Sequence, residues 1–328
     1  MSSRFSRSTF FAGAGAAGVL TAFGIADAAQ THVGVDYAYY NPPSLILKEY
    51  GWLDTALAAH GASVDWVLSL GSNKANQYLT SGTVAFGSTA GSAALLARAN
   101  GSPIKTVYLY SQPEWTAIVV GRDSKLKAVA ELKGKTIAAT RGTDPWFFLL
   151  RSLHDAGLTP NDVQIVDLQH PDGRLALERG QVDAWAGLDP HMAASQLQAG
   201  SRLLYRNLGY NTYGALNASE NFLRQSPELV AIVLEQYERA RHFASTNQAQ
   251  TAQILAKASS VPIEVATLML KERTHYPNPI PGTAYERAVG GCTPIIRDDK
   301  LVAAGTDLDS ALHTLVEPSP ARTALRHA

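Results

Sequence analysis

Residues 140–146, Thr-Arg-Gly-Thr-Asp-Pro-Trp, join a run of β-branched residues and alanine at 136–139 to a segment at 146–158 with apolar residues at helical spacing. Pro145 suits the first turn of a helix, where its missing N–H costs nothing, and Gly157 suits the end. A strand, a polar turn and a helix in this order leave the first N–H groups of the helix without intrahelical acceptors, and the helix dipole adds to their pull on an anion. The hydroxyls of Thr140 and Thr143 and the charge of Arg141 would add donors. The same turn also reads as a helix capped by its own Thr143 or Asp144. The chemistry suggested is binding rather than bond making. There is no Gly-x-Ser-x-Gly, phosphate-loop or paired-cysteine motif, and no two of the nine histidines sit at metal-ligand spacing, so neither metal nor cofactor is expected. Cys292 is the single cysteine, which excludes an internal disulfide and reads as an inert buried thiol.

These residues need elements to position them, and the chain has room for two domains in its 328 residues. Lys plus Arg and Asp plus Glu stand at 28 each, so no basic surplus points to nucleic acid. Residues 1–29 read as a secretory signal peptide. Arg4 and Arg7 precede a Gly- and Ala-rich apolar run, and Ala26-Asp27-Ala28 offers a small-x-small cleavage site. The run is too short to span a bilayer, and no cysteine follows the cleavage site to carry a lipid anchor. An exported chain without disulfides fits a bacterial periplasm.

After the signal, strand and helix patterns alternate. Strands are expected at 31–37, 64–68, 84–86, 106–110, 116–120, 136–139, 163–167, 182–186 and 202–205. Helices are expected at 44–50, 72–79, 92–99, 146–158, 172–179, 226–256, 262–272 and 301–315. Such alternation predicts α/β architecture, with ligands beyond the carboxyl ends of the strands. An internal echo, LTSGTVAFGS at 79–88 and LERGQVDAWA at 177–186, suggests two halves of one design.

Four segments together carry a family resemblance: VDYAYYNPPSLILKEYGWLD, LTSGTVAFGSTAGSAALLARANG, AELKGKTIAATRGTDPWFFLLRSLHDAGL and ALERGQVDAWAGLDPHMA. In this order and spacing the chain resembles the solute-binding components of ABC importers for alkanesulfonates, taurine and nitrate. The resemblance implies a type II periplasmic binding protein fold, two α/β lobes joined by a two-segment hinge with the ligand cleft between them. One lobe would comprise 30–111 and 213–317, the other 112–212, with a tail at 318–328. It implies a monomer that binds a small-molecule anion, delivers it to an ABC permease in the inner membrane and performs no chemistry. Carried over residue by residue, the pocket falls on Tyr39, Tyr40, Asn41, Ser88, Thr89, Arg141, Gly142, Thr143, Trp146, Trp185 and Asp189. The family often has Gln at 38, Asp at 85 and Gly-Asp at 90–91, where this chain has Ala38, Ala85 and Ala90-Gly91. Fewer polar groups and more Trp and Tyr suggest an organosulfur anion with an apolar or aromatic body. Nitrate, taurine and an aromatic carboxylate stand as alternatives. A pyrimidine-precursor synthase of thiamine biosynthesis would share the fold, but the export signal and single cysteine argue against it. Each residue also has a plainer reading: Arg141 as a surface ion-pair partner, Trp146 and Trp185 as core, and Asp189 as the cap of the next helix.

Overall fold

The computed structural model describes residues 31–326, so the signal-peptide reading of 1–29 lies outside the described residues. Among the described residues there are eleven strands: β1 (Thr31–Tyr37), β2 (Ala62–Leu68), β3 (Phe86–Ala90), β4 (Ile104–Pro113), β5 (Ile118–Val120), β6 (Thr136–Ala139), β7 (Gln164–Asp167), β8 (Ala184–Ala186), β9 (Arg202–Tyr205), β10 (Gly214–Ser219) and β11 (Thr274–His275). They form two sheets, a six-stranded one ordered β11-β4-β10-β3-β1-β2 and a five-stranded one ordered β7-β6-β8-β5-β9. In each, the strands that feed helices run parallel: β1 with β2 and β3, and β6 with β7 and β8. Strands beside the chain's passages between sheets run antiparallel, β10 against β3 and β4, and β5 against β8 and β9.

Apolar faces of flanking helices close each sheet. On the first sheet, Val33, Val35 and Val107 pack with Ile46, Leu47, Val233 and Leu234 from helices Pro42–Tyr50 and Pro227–Thr246. On the second, Ile137 and Ala139 pack with Phe147, Phe148 and Leu150 of helix Asp144–Asp155, and this cluster continues to Leu95, Leu109 and Ile296. The two sheets therefore share part of one core.

The chain passes between the sheets twice, at residues 114–117 and 206–213. These passages are tied together. Arg206 donates from Nε and Nη2 to the two Glu114 carboxylate oxygens at 2.7 and 2.5 Å, and Thr116 N donates to Asn211 Oδ1 at 3.0 Å.

Several elements differ from the sequence expectation. The strand expected at 84–86 runs instead through Phe86–Ala90, because β10 pairs antiparallel along its whole length. β10 itself, Gly-Ala-Leu-Asn-Ala-Ser, has no β-branched residue and no alternation to reveal it. Only its place between β3 and β4 makes it a strand. The long helix expected at 226–256 breaks at Asn247 into Pro227–Thr246 and Gln248–Ser259. The helix expected at 301–315 shortens to Leu308–Leu315, capped by Asp307 accepting from Ser310 N. Among the described residues, no helix is long and apolar enough to cross a membrane.

Candidate ligand cleft

The carboxyl ends of the parallel strands from both sheets face one another. From the first sheet come Tyr40 after β1, Ser72 after β2 and Ala90 at the end of β3. The second contributes Thr143, Asp144 and Pro145 after β6 and Leu188 after β8, with Trp115 reaching in from the first passage. These eight residues line a cavity of about 10 Å³, room for a single water. Tyr40 and Trp115 meet edge to face, centroids 5.9 Å apart.

Asp144 dominates this end of the cleft. It is the first residue of helix Asp144–Asp155 and is 1 % exposed. Its Oδ1 accepts from Ser92 Oγ at 2.5 Å and Thr212 Oγ1 at 2.9 Å. Its Oδ2 accepts from Trp115 Nε1 at 2.9 Å and Thr212 N at 2.8 Å. Ser92 belongs to helix Gly91–Ala99 on the first sheet, while Trp115 and Thr212 lie on the two passages. One carboxylate thus ties the second sheet to the first and to both connections. Burial pushes its pKa up, and the four donors pull it back. The indole and backbone N–H groups can only donate, so Oδ2 accepts twice without a proton of its own.

The other end of the cleft is built differently. Helix Ser72–Thr80 starts after Gly71 with no side-chain cap, and a Cβ on Gly71 would stand 3.1 Å from His170 Nε2 and 2.9 Å from Asn73 Oδ1. A side chain there is disfavoured by close approach, not by backbone angle, unless the Asn73 and His170 side chains shift. Gly142, at φ +77°, faces Asn73 in turn, its Cβ position 3.8 Å from that of Asn73. His170 opens helix His170–Glu178 and is fully buried. Its Nδ1 lies 3.1 Å from Thr140 Oγ1, whose hydrogen already goes to Leu168 O at 2.7 Å. Thr140 can therefore only accept from His170, which places the imidazole hydrogen on Nδ1 and leaves Nε2 a bare acceptor. Nε2 has no partner, and neither has Asn73 Oδ1. Burial, with a smaller contribution from His191, drives the His170 pKa down to about 3, so the ring is neutral at physiological pH.

Residues 51–251 match the family described as NMT1/THI5 like. The chain belongs to that family. An aliphatic sulfonates-binding protein of Escherichia coli strain K12 is 30% identical over 214 residues, 65% of this chain and 67% of the relative. Among solved structures, the alkanesulfonate-binding protein SsuA of Xanthomonas axonopodis pv. citri, bound to MOPS, superposes with a TM-score of 0.77 at 25% identity, over 88% of this chain and 98% of that one. The desulfurization enzyme DSZB, at 16% identity, TM-score 0.66 and coverage of 91% of this chain and 100% of its own, shares the fold alone. The relatives named for sulfonates are binding proteins. A desulfurization enzyme thus has a similar fold.

Within this family member the expected pocket residues fall into several different settings. Tyr40 and Thr143 line the cavity, and Gly142 faces the first sheet's helix beside it. Thr143 Oγ1 donates to Thr140 O at 2.7 Å rather than capping its helix. Asn41, Ser88 and Thr89 are buried in networks behind the cleft. Asn41 Nδ2 donates to Ser88 Oγ at 2.7 Å, and Ser88 N and Oγ donate to Asp36 Oδ1 at 2.8 and 2.7 Å. Thr89 lies inside β3, accepting from Asn217 Nδ2 at 2.7 Å; the helix-start donor on this side is Ser92, three residues on. Tyr39 is half-buried and packs against the first sheet's core.

Arg141 and Trp146 come together elsewhere. The Arg141 guanidinium is exposed and stacks 4.5 Å above the Trp146 ring, both lining a separate groove with Asp298 and Lys300. Trp185 is wholly buried in the second sheet's core with Ala138, Ala176 and Met192. Asp189 is not the cap of helix His191–Ala194, whose N-cap is Pro190; its Oδ1 accepts from Ala193 N at 2.8 Å, and both its oxygens accept from Arg273 Nη1 at 3.1 Å. Its cationic partner is thus a residue of the chain itself.

Asp144, Ser92, Trp115, Thr212 and His170 were not among the residues expected. A signal existed for Ser92 alone: it follows β3 as Asp144 follows β6, so superimposing the two halves would have paired them. Trp115 and Thr212 come from passages whose contacts no local pattern encodes. Among the described residues, no group of three or more His, Cys, Asp or Glu could hold a metal.

Proposed function

We propose that this chain is the solute-binding component of a bacterial ABC importer, exported to the periplasm, capturing an organosulfur anion between its two sheets and handing it to a membrane permease. The observation that carries this reading is the cleft itself: helix starts on both sheets, at Ser72, Ser92, Asp144 and His170, face one interface that, among the described residues, two chain passages cross. That is the arrangement in which hinge closure traps a ligand. The passages at 114–117 and 206–213 would be the hinge, dividing the lobes near residues 112 and 213. The names of the E. coli and Xanthomonas relatives support an alkanesulfonate or sulfate ester over nitrate or a carboxylate. Capture without chemistry is supported by Cys292, whose thiol is fully buried and pushed up to about 12, far from a nucleophile's range. A monomer suffices for this role.

Thermal unfolding of the mature protein against alkanesulfonates, aromatic sulfonates, sulfate esters, taurine, nitrate and aromatic carboxylates tests the reading. A ligand at about 100 times its Kd stabilises by about 2.7 kcal/mol, a shift of several degrees. A rise with sulfonates or sulfate esters is expected. A rise with carboxylates alone keeps the fold and overturns the substrate.

A further inference from the structure

We propose that the cleft selects a ligand carrying a hydrogen-bond donor, an O–H or N–H beside its sulfonate, and reads that donor with His170 Nε2 and Asn73 Oδ1. The inference rests on the cleft being the ligand site. Two independent observations carry it.

The first is what the Asp144 end withholds. Two hydroxyls, an indole N–H and a backbone N–H converge there, a set suited to a sulfonate's oxygens. All four are already given to the Asp144 carboxylate at 2.5–2.9 Å. A ligand anion placed there would meet a buried group of its own charge and no free donor. Asp144 is a resident anion, and the ligand's polar recognition is displaced along the cleft.

The second is what the His170 end offers. The uncapped start of helix Ser72–Thr80 presents N–H groups suited to an oxyanion. Beside it, two acceptors on opposite sheets converge across Gly71, within reach of one small group. Nε2 is fully buried and has no donor, and the hydrogen count at Thr140 shows that it cannot supply one. A buried acceptor without a partner is costly, so a ligand O–H or N–H that satisfies it gains more than a methyl group in the same place. A plain alkanesulfonate leaves Nε2 and Asn73 Oδ1 unsatisfied.

Matched series isolate the effect. Calorimetric titration of the mature protein would compare ethanesulfonate with 2-hydroxyethanesulfonate and taurine, and benzenesulfonate with its 4-hydroxy and 4-amino derivatives. In at least one series, the donor-bearing members are expected to bind tenfold or more tightly than the parent. In His170→Phe that ratio should fall to within about twofold. Asn73→Ala, at a half-buried position, is expected to shrink the ratio in the same direction and serves if His170→Phe fails to fold. Equal binding of parent and derivatives, or a ratio unchanged in the folded variants, overturns the inference and leaves sulfonate capture standing. No binding by any member of either series overturns the sulfonate reading and this inference together.

Discussion

The two ends of the cleft solve the same problem in opposite ways. At the Asp144 end, donors from three parts of the chain converge and the protein supplies its own anion, so every polar atom is paired and the space left is one water wide. At the His170 end, acceptors converge and the protein supplies nothing: His170 Nε2 and Asn73 Oδ1 are buried without partners. A satisfied buried network rigidifies, while a partly satisfied one costs stability until something completes it. The contrast assigns the first end to holding the two sheets together and, under the inference proposed above, leaves the second for recognition.

Asp144→Ala should break the comparison most severely. It strands the Trp115 indole N–H, the Thr212 N–H and the Ser92 hydroxyl, and should cost about 3–5 kcal/mol in urea unfolding. If the site is a true anion site, formate or acetate should restore part of that loss. A variant as stable as wild type would show that Asp144 is not what holds the two sheets.

A subtler test uses pH, because two buried groups near the cleft have opposite dependences. Burial drives His170 down to about 3 from 6.5. The unfolded chain therefore binds the extra proton first, and stability is lost as pH falls below 6.5. Burial raises Asp36, held by Ser88, to about 6 from 3.8. The native state then binds the proton first, and stability is gained as pH falls from 6 toward 4. Each contributes a slope of up to about 1.4 kcal/mol per pH unit, in opposite directions, so they offset one another between pH 4 and 6. In Asp36→Asn, stability should fall as pH drops from 6.5 to 4. In His170→Phe the fall should be shallower than in wild type, not abolished, because burial also holds His191 down to about 4 and it acts in the same sense. Parallel curves for the two variants would refute the contrast.

The smallest effect is expected at Arg141. Its guanidinium is exposed and stacked on Trp146 in the outer groove, so Arg141→Ala should change stability by no more than about 0.5 kcal/mol and leave the response to sulfonates intact. A lost ligand response would move the recognition site from the cleft to that groove.

Much of this was legible in local sequence. β1 and β6 stand where alternation and β-branching put them, and Pro145 and Gly157 bracket the helix after β6 to within a residue or two. Gly157, at φ +71°, follows that helix as its composition suggested. These are decided by neighbours a few residues apart, and the order of strands and helices followed from them. The turn after β6 reads as a set of donors for a ligand anion; in the structure it supplies the acceptor, Asp144, and the donors come from Ser92, Trp115 and Thr212.

Which anion sits there was decided by the tertiary structure. Asp144, written off locally as a cap, meets Ser92 and Thr212, 52 and 68 residues away in sequence, because two sheets bring their strand ends to one interface. Arg141, two residues from Thr143 in the same turn, faces outward instead. A turn's composition sets what its side chains are able to bind, but their direction and partners follow from which strands lie beside it. β10 shows the same dependence in the backbone, since Gly-Ala-Leu-Asn-Ala-Ser becomes a central strand only when β3 and β4 offer it hydrogen bonds on both edges. Local residue types determined the α/β architecture and the kind of site. Long-range packing determined which donors were already taken and which acceptors were left.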